Sequence, residues 1–213
     1  MKAIIFDLDG VIVFTDKYHY IAWKKLADKL GIYFDEKIND RLRGVSRMDS
    51  LEIILERHEG AAFTEAQKKA LAEEKNTIYR ELLNSMTPDD VSPDVRETFT
   101  ELRRRGYRLA IGSSSKNARF ILEKVGLLDG TFDAISDGNN ISKSKPDPEV
   151  FLKAAEFLGL DPHECAVVED AYAGIDAAKA AEMTAIGIGG AAEYAAADYA
   201  LTQFSDLLNL DIF

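Results

Sequence analysis

A chain of 213 residues is long enough to bury a sizeable core in one large or two small domains. Its 37 Asp and Glu against 26 Lys and Arg leave a net charge of −11, which excludes a general affinity for nucleic acid or an anionic membrane. The single cysteine, Cys165, excludes an intramolecular disulfide and fits a reducing compartment.

The first element is the run Ala3-Ile4-Ile5-Phe6, which reads as a strand buried on both faces, as in a parallel sheet. It is far shorter than the apolar region of a signal peptide, and no window approaches the roughly 20 apolar residues of a membrane span. A cytoplasmic protein is therefore expected. Asp7, Asp9 and Gly10 follow the strand, at the edge of an α/β sheet where ligands bind. Two carboxylates so close together repel unless something cationic lies between them, although Asp-Leu-Asp-Gly is also an ordinary turn composition.

From 16 to 85 the spacing predicts helices alone. Tyr18, Ile21, Ala22, Leu26 and Leu30 recur at helical intervals, with Gly31 as the stop. A second helix is expected after Ser46, with Asp49 three residues on, and a third after Thr64, with Gln67 in the capping-box position. From Pro88 the texture changes to helices alternating with short apolar strands. Helices are expected over 94–105, 116–125, 148–158 and 171–181, and strands over 108–112, 132–135, 165–169 and 184–188. That rhythm implies right-handed crossovers and a parallel sheet. The expected fold is an α/β Rossmann-like core, residues 1–15 and 86–213, with an inserted all-helical cap, residues 16–85. The crossings near 13–15 and 88–93 are candidate hinges.

Three later strand ends carry groups that can converge with Asp7 and Asp9. Ser113-Ser114-Ser115-Lys116-Asn117 offers hydroxyls, backbone N–H groups and a cation before a helix, a composition suited to phosphate, although a Ser-rich run there also serves as an N-cap. Lys145 precedes another helix, and a lone lysine is commonly a solvated charge. Glu169 and Asp170 end a buried strand. Four carboxylates at one sheet edge would be prohibitively repulsive without a metal, and a hard oxygen set with room for water and phosphate favours Mg²⁺. Cys165, in the apolar run Cys165-Ala166-Val167-Val168, reads as a core residue.

These motifs, beginning with Phe6-Asp7-Leu8-Asp9-Gly10-Val11, resemble the signatures of the haloacid dehalogenase-like (HAD) superfamily. The resemblance implies that Asp7 is a nucleophile that becomes an aspartyl phosphate and Asp9 its general acid/base. It further implies that Ser113 and Lys145 bind the transferring phosphoryl group, that Asp170 with Asp7 and the Asp9 carbonyl holds Mg²⁺, and that Glu169 supports the metal site. The insert, with Thr15-Asp16-Lys17-Tyr18-His19-Tyr20-Ile21-Ala22-Trp23, Gly44-Val45-Ser46-Arg47-Met48-Asp49-Ser50 and Glu74-Lys75-Asn76, resembles the cap of the β-phosphoglucomutase subfamily. That likeness implies a second phosphate clamp from Arg47 with Ser115, Lys116 and Asn117, and adds His19, Trp23, Gly44, Ser50 and Lys75 as substrate-binding candidates. Phe14 departs from the pattern, standing where the subfamily usually has a small acidic residue.

By residue type and local position, Trp23 suits cap packing better than a sugar platform, His19 on a cap helix suits an interface as well as catalysis, and Arg47, next to Gly44 and Ser46 at a helix start, suits phosphate better than bulk solvent. The resemblance implies a β-phosphoglucomutase, a monomer acting on a small sugar phosphate with Mg²⁺ and with no nucleic-acid or membrane partner. Cap closure would keep water from the aspartyl phosphate. The alternatives are a sugar-phosphate phosphatase with the same core residues and, from another class, a non-catalytic module phosphorylated on Asp7.

Overall fold

The protein is described by a computed structural model covering residues 1–42 and 46–212. It divides into two compact units, one formed by Met1–Phe14 with Met86–Phe213 and the other by Thr15–Ser85.

In the first unit the described residues form a six-stranded parallel sheet in the order β3-β2-β1-β4-β5-β6, namely Ala134–Ser136, Arg108–Gly112, Ala3–Phe6, Cys165–Glu169, Thr184–Ile188 and Tyr199–Leu201. Each of Ala3, Ile4, Ile5 and Phe6 is fully buried because β1 has a strand on either side and helices above and below. Register runs Phe6 to Ile111 on one side and Phe6 to Val168 on the other. The chain starts in the middle of the sheet, builds β2 and β3 outward, then returns to lay β4, β5 and β6 on the opposite side. This reversal opens a crevice at the carboxyl ends of β1 and β4, the place where such sheets bind ligands.

Alternation along the strands feeds two cores. On one face Ile5, Ala110 and Val167 meet Phe151 and Ala154 of α7 (Glu149–Leu158) and Ile175 and Ala178 of α8 (Tyr172–Ala180). On the other, the Phe6 ring lies 5.1 Å from Phe99 of α5 (Pro93–Arg104) and 5.6 Å from Phe204. Burying each such ring or branched side chain contributes about 1.5–3 kcal/mol, so the sheet centre is the rigid part of the unit.

The second unit holds α1 (Asp16–Lys29), α2 (Glu36–Asp40), α3 (Arg47–Leu55) and α4 (Glu65–Leu83) around a core of Trp23, Leu26, Ile32, Phe34, Leu51, Ile54 and Ala72. The expected caps form: Ser46 Oγ accepts from the Asp49 N–H, and Thr64 and Gln67 make a reciprocal capping box. Thr15 goes with this unit, one residue earlier than the expected boundary, because its hydroxyl accepts from the Tyr79 hydroxyl at 2.9 Å and its carbonyl from the N–H groups of Tyr18 and His19.

Elsewhere the differences from the sequence reading are small. The helix expected over 116–125 is α6, Ala118–Lys124, since the Ser115 and Asn117 N–H groups donate to the Ser113 and Ser115 hydroxyls instead of starting the helix. The strand expected over 132–135 is Ala134–Ser136, and the Phe132 side chain packs edge-on against Phe99. Strand β6 and helix α2 were not anticipated; at three and five residues they are too short for periodicity to reveal. Among the described residues no helix is long and apolar enough to cross a membrane.

Candidate active site

At the end of β1 the Asp7 N–H still donates to the Val168 carbonyl at 3.0 Å, and the chain then leaves the sheet in a tight turn closed by the Gly10 N–H on the Val13 carbonyl at 2.7 Å. Gly10 sits at φ +92°, and a Cβ there would also run into the Asp170 carboxylate, 2.9 Å from Oδ1. Glycine is thus required twice, by backbone conformation and by the close approach of Asp170 to the turn that carries Asp7 and Asp9.

Lys145 Nζ lies between two of the acids, donating to Asp7 Oδ1 and to Glu169 Oε1 at 2.5 Å each. The other Glu169 oxygen accepts from the Ala171 N–H at 2.9 Å, and Gly174 leaves the space that the Glu169 side chain fills. Burial works against the Lys145 charge, but Asp7 and Glu169 outweigh it and hold the ammonium above its ordinary value. Asp7 is pushed up to about 7, chiefly by burial and against the pull of Lys145, with repulsion from Glu169 and Asp9 adding to the rise. Asp170 is pushed up to about 8, by burial first and then by Asp7, Glu169 and Asp9. The edge therefore carries more negative charge than Lys145 neutralises, and two of its carboxyls take up protons near neutrality.

The donor set fits Mg²⁺. Among the described residues no three His, Cys, Asp or Glu side chains form a chelating group. What the edge offers is the two close carboxylates of Asp7 and Asp170, hard oxygen donors that suit a hard cation keeping several of its waters.

Ser113 directly follows β2, the strand beside β1, and is 3 % exposed. Its hydroxyl accepts from the Ser115 N–H, and the Ser115 hydroxyl from the Asn117 N–H, each at 3.2 Å. The run folds back on itself as a compact loop in which Lys116 is exposed and Asn117 buried. Residues 137–140 lie directly against it, a feature the sequence reading missed. The Gly138 N–H donates to the Ser115 carbonyl and Asn139 Nδ2 to the Lys116 carbonyl, both at 3.2 Å. Asp-Gly-Asn-Asn is a turn composition, so a loop was legible there, but its neighbour was not.

The helical unit has a polar cluster of its own. Lys75, 2 % exposed, donates to His19 Nδ1 at 2.8 Å and lies over the rings of Trp23 and Tyr79, 4.6 and 4.7 Å from their centroids. An ammonium has only donors, so Nδ1 is the acceptor and the imidazole is neutral with its proton on Nε2. Burial, then the charges of Lys75 and Arg47, keep His19 well below its ordinary value. Arg47, at the start of α3, pairs with Glu73 at 3.4 Å, and burial lowers its guanidinium pKa against that partner. Ser50 is buried, and Trp23 belongs to the unit's apolar core. Gly44 lies outside the described residues. The structure thus groups Asp7, Asp9, Lys145, Glu169 and Asp170 in one unit, with Ser113 to Asn117 on the neighbouring strand end, and His19, Trp23 and Lys75 in the other.

Residues 1–182 match the family model described as haloacid dehalogenase-like hydrolase. The chain is 44% identical over 209 residues to the β-phosphoglucomutase of Bacillus subtilis (strain 168), covering 97% of this chain and 92% of that one. It is 33% identical to a phosphorylated carbohydrates phosphatase of Thermotoga maritima, covering 87% and 84%. Among solved structures, a β-phosphoglucomutase from Clostridium difficile superimposes with a TM-score of 0.89 at 39% identity, covering 97% and 93%.

Proposed function

The chain belongs to the haloacid dehalogenase-like hydrolase family, and from that premise we propose that it is a β-phosphoglucomutase. It interconverts β-glucose 1-phosphate and glucose 6-phosphate through phosphorylated Asp7 and a β-glucose 1,6-bisphosphate intermediate. The observation that carries this reading is the likeness to the Bacillus subtilis mutase, which runs through the helical insert as well as the core.

Phosphoryl transfer asks a protein mainly for alignment and charge neutralisation. Asp7 is the nucleophile, its carboxylate fixed by Lys145. It attacks phosphorus in line, the P–O bond to the sugar breaks, and Asp9 gives the leaving oxygen its proton. In the reverse sense Asp9 takes the proton of the 6-hydroxyl as that oxygen attacks phospho-Asp7. Ser113 and Lys145 bind the transferring group, and Glu169 holds Lys145 in place. Asp7, Asp170 and the Asp9 carbonyl are the residues that would hold Mg²⁺, which when bound offsets the charge spread over the phosphoryl oxygens. The family resemblance assigns the phosphate not being transferred to Arg47 with Ser115, Lys116 and Asn117, and the sugar to His19, Lys75 and Ser50, whereas Trp23 packs in the apolar core of the helical unit. The protein works as a cytoplasmic monomer on this small substrate.

A sugar-phosphate phosphatase is the second reading, favoured by the Thermotoga maritima relative. It differs only in letting water take the phosphoryl group from Asp7. Phosphorus NMR of β-glucose 1-phosphate with Mg²⁺, with and without a trace of the 1,6-bisphosphate, separates them. Glucose 6-phosphate formed faster with the primer is the expected result; inorganic phosphate as the main product overturns the mutase in favour of the phosphatase. Arg47→Ala removes one charge-assisted contact to the second phosphate and is expected to cost about tenfold to a hundredfold in kcat/KM for β-glucose 1-phosphate. Unchanged turnover in that variant removes Arg47 from the site.

A further inference from the structure

We propose that Gly138 and Asn139, in the loop after β3, are positioning residues that set the shape of the loop 115–117 and thereby its grip on the substrate's second phosphate. The inference rests on the reading of Ser115, Lys116 and Asn117 as a phosphate-binding loop. Asn139 reaches that loop's main chain by the bond from Nδ2 to the Lys116 carbonyl at 3.2 Å. Gly138 is pressed against it: its N–H donates to the Ser115 carbonyl, and a Cβ at this position would overlap the Ser114 carbonyl and come within 2.8 Å of the Lys116 nitrogen. Any side chain at 138 therefore pushes residues 114–116 away, whereas glycine lets the two loops share hydrogen bonds.

The loop that does the bracing is itself held. The Asp137 N–H donates to Asn140 Oδ1 at 3.0 Å, Asp137 Oδ1 accepts from the Asn139 N–H at 2.8 Å, and Arg119 of α6 lies 3.5 Å from the Asp137 carboxylate. Asp137 is nearly fully buried, so this frame is fixed to the end of β3. With the Ser115 and Lys116 carbonyls both accepting from residues 138–139, the main chain at 115–116 is held, and with it the points from which the Lys116 and Asn117 side chains leave the chain. The hydrogen bonds of Gly138 and Asn139 go to the Ser115 and Lys116 carbonyls and to Asp137. Their substitution is thus expected to act on recognition of the second phosphate and to leave the phosphoryl chemistry alone.

The test compares Asn139→Ala, Gly138→Ala and Lys116→Ala with the parent protein in two assays. One is the primer concentration giving half-maximal conversion of β-glucose 1-phosphate. The other is turnover of p-nitrophenyl phosphate, which has a single phosphate. Loss of one neutral hydrogen bond behind the loop is expected to raise the primer requirement about threefold to tenfold in Asn139→Ala, with p-nitrophenyl phosphate turnover within about twofold of the parent. Gly138→Ala is expected to raise it further; if that variant does not fold, Asn139→Ala carries the test alone. Equal loss in both assays, or an unchanged primer requirement in Asn139→Ala while Lys116→Ala raises it, overturns the positioning role. An unchanged requirement in Lys116→Ala instead overturns the reading of 115–117 as a phosphate loop, and the inference falls with it.

Discussion

Lys145 governs the charge balance of the sheet edge. Its ammonium is 8 % exposed and lies 2.5 Å from two carboxylates that are themselves buried, so removing it leaves both acids without their partner. Breaking a buried ion pair from one side costs about 3–5 kcal/mol, and Lys145→Ala is expected to fall in that range by urea denaturation, together with loss of turnover. Retained stability in that variant would mean that the two carboxyls take up protons at no cost. The sequence offered only a lysine before a helix, a composition shared by many surface residues. What makes it part of the site is the distance to Asp7, 138 positions away in the chain, which only the sheet order brings about.

At the scale of elements, local chemistry decided most of what was legible. Thr64 with Gln67, and Ser46 with Asp49, are neighbours in sequence, so the helix starts they cap could be read directly, and both form. Thr64→Ala removes the acceptor for the Gln67 N–H at the start of a 19-residue helix. It is expected to destabilise the helical unit by about 1 kcal/mol, seen as a lower urea midpoint in circular dichroism at 222 nm. A midpoint equal to the parent's would mean that tertiary packing alone holds this helix end. Elements without a local signal were not legible. Strand β6 is three residues long and exists because β5 offers it a free edge, and α6 begins late because residues 115–117 are engaged in their own loop.

Across the whole molecule, the proton affinity of the carboxylate edge couples folding to pH and to cations. Asp7 and Asp170 sit at about 7 and about 8, above the ordinary value of 3.8, so the folded chain binds their protons more tightly than the unfolded chain does. Their contribution to stability is complete below 3.8 and is lost as pH rises through 7 to 8. A cation that replaces those protons has more to offset at high pH. At a fixed Mg²⁺ concentration the rise in Tm over the chelated protein is therefore expected to be larger near about pH 8.5 than near about pH 5.5. A rise independent of pH, or none at all, would place the ion away from Asp7 and Asp170.

The sequence by itself determined the parallel α/β core, the helical insert and the candidate acids, because buried strands, helix caps and strand-end carboxylates leave signals within a few residues. It also carried a family likeness strong enough to name the expected chemistry. Only the tertiary structure decided that Lys145 lies between Asp7 and Glu169, that Gly10 yields its space to Asp170, and that residues 137–140 brace the loop 115–117. Each of these joins segments far apart in the chain, and such contacts are fixed by strand order and register, which no local pattern encodes.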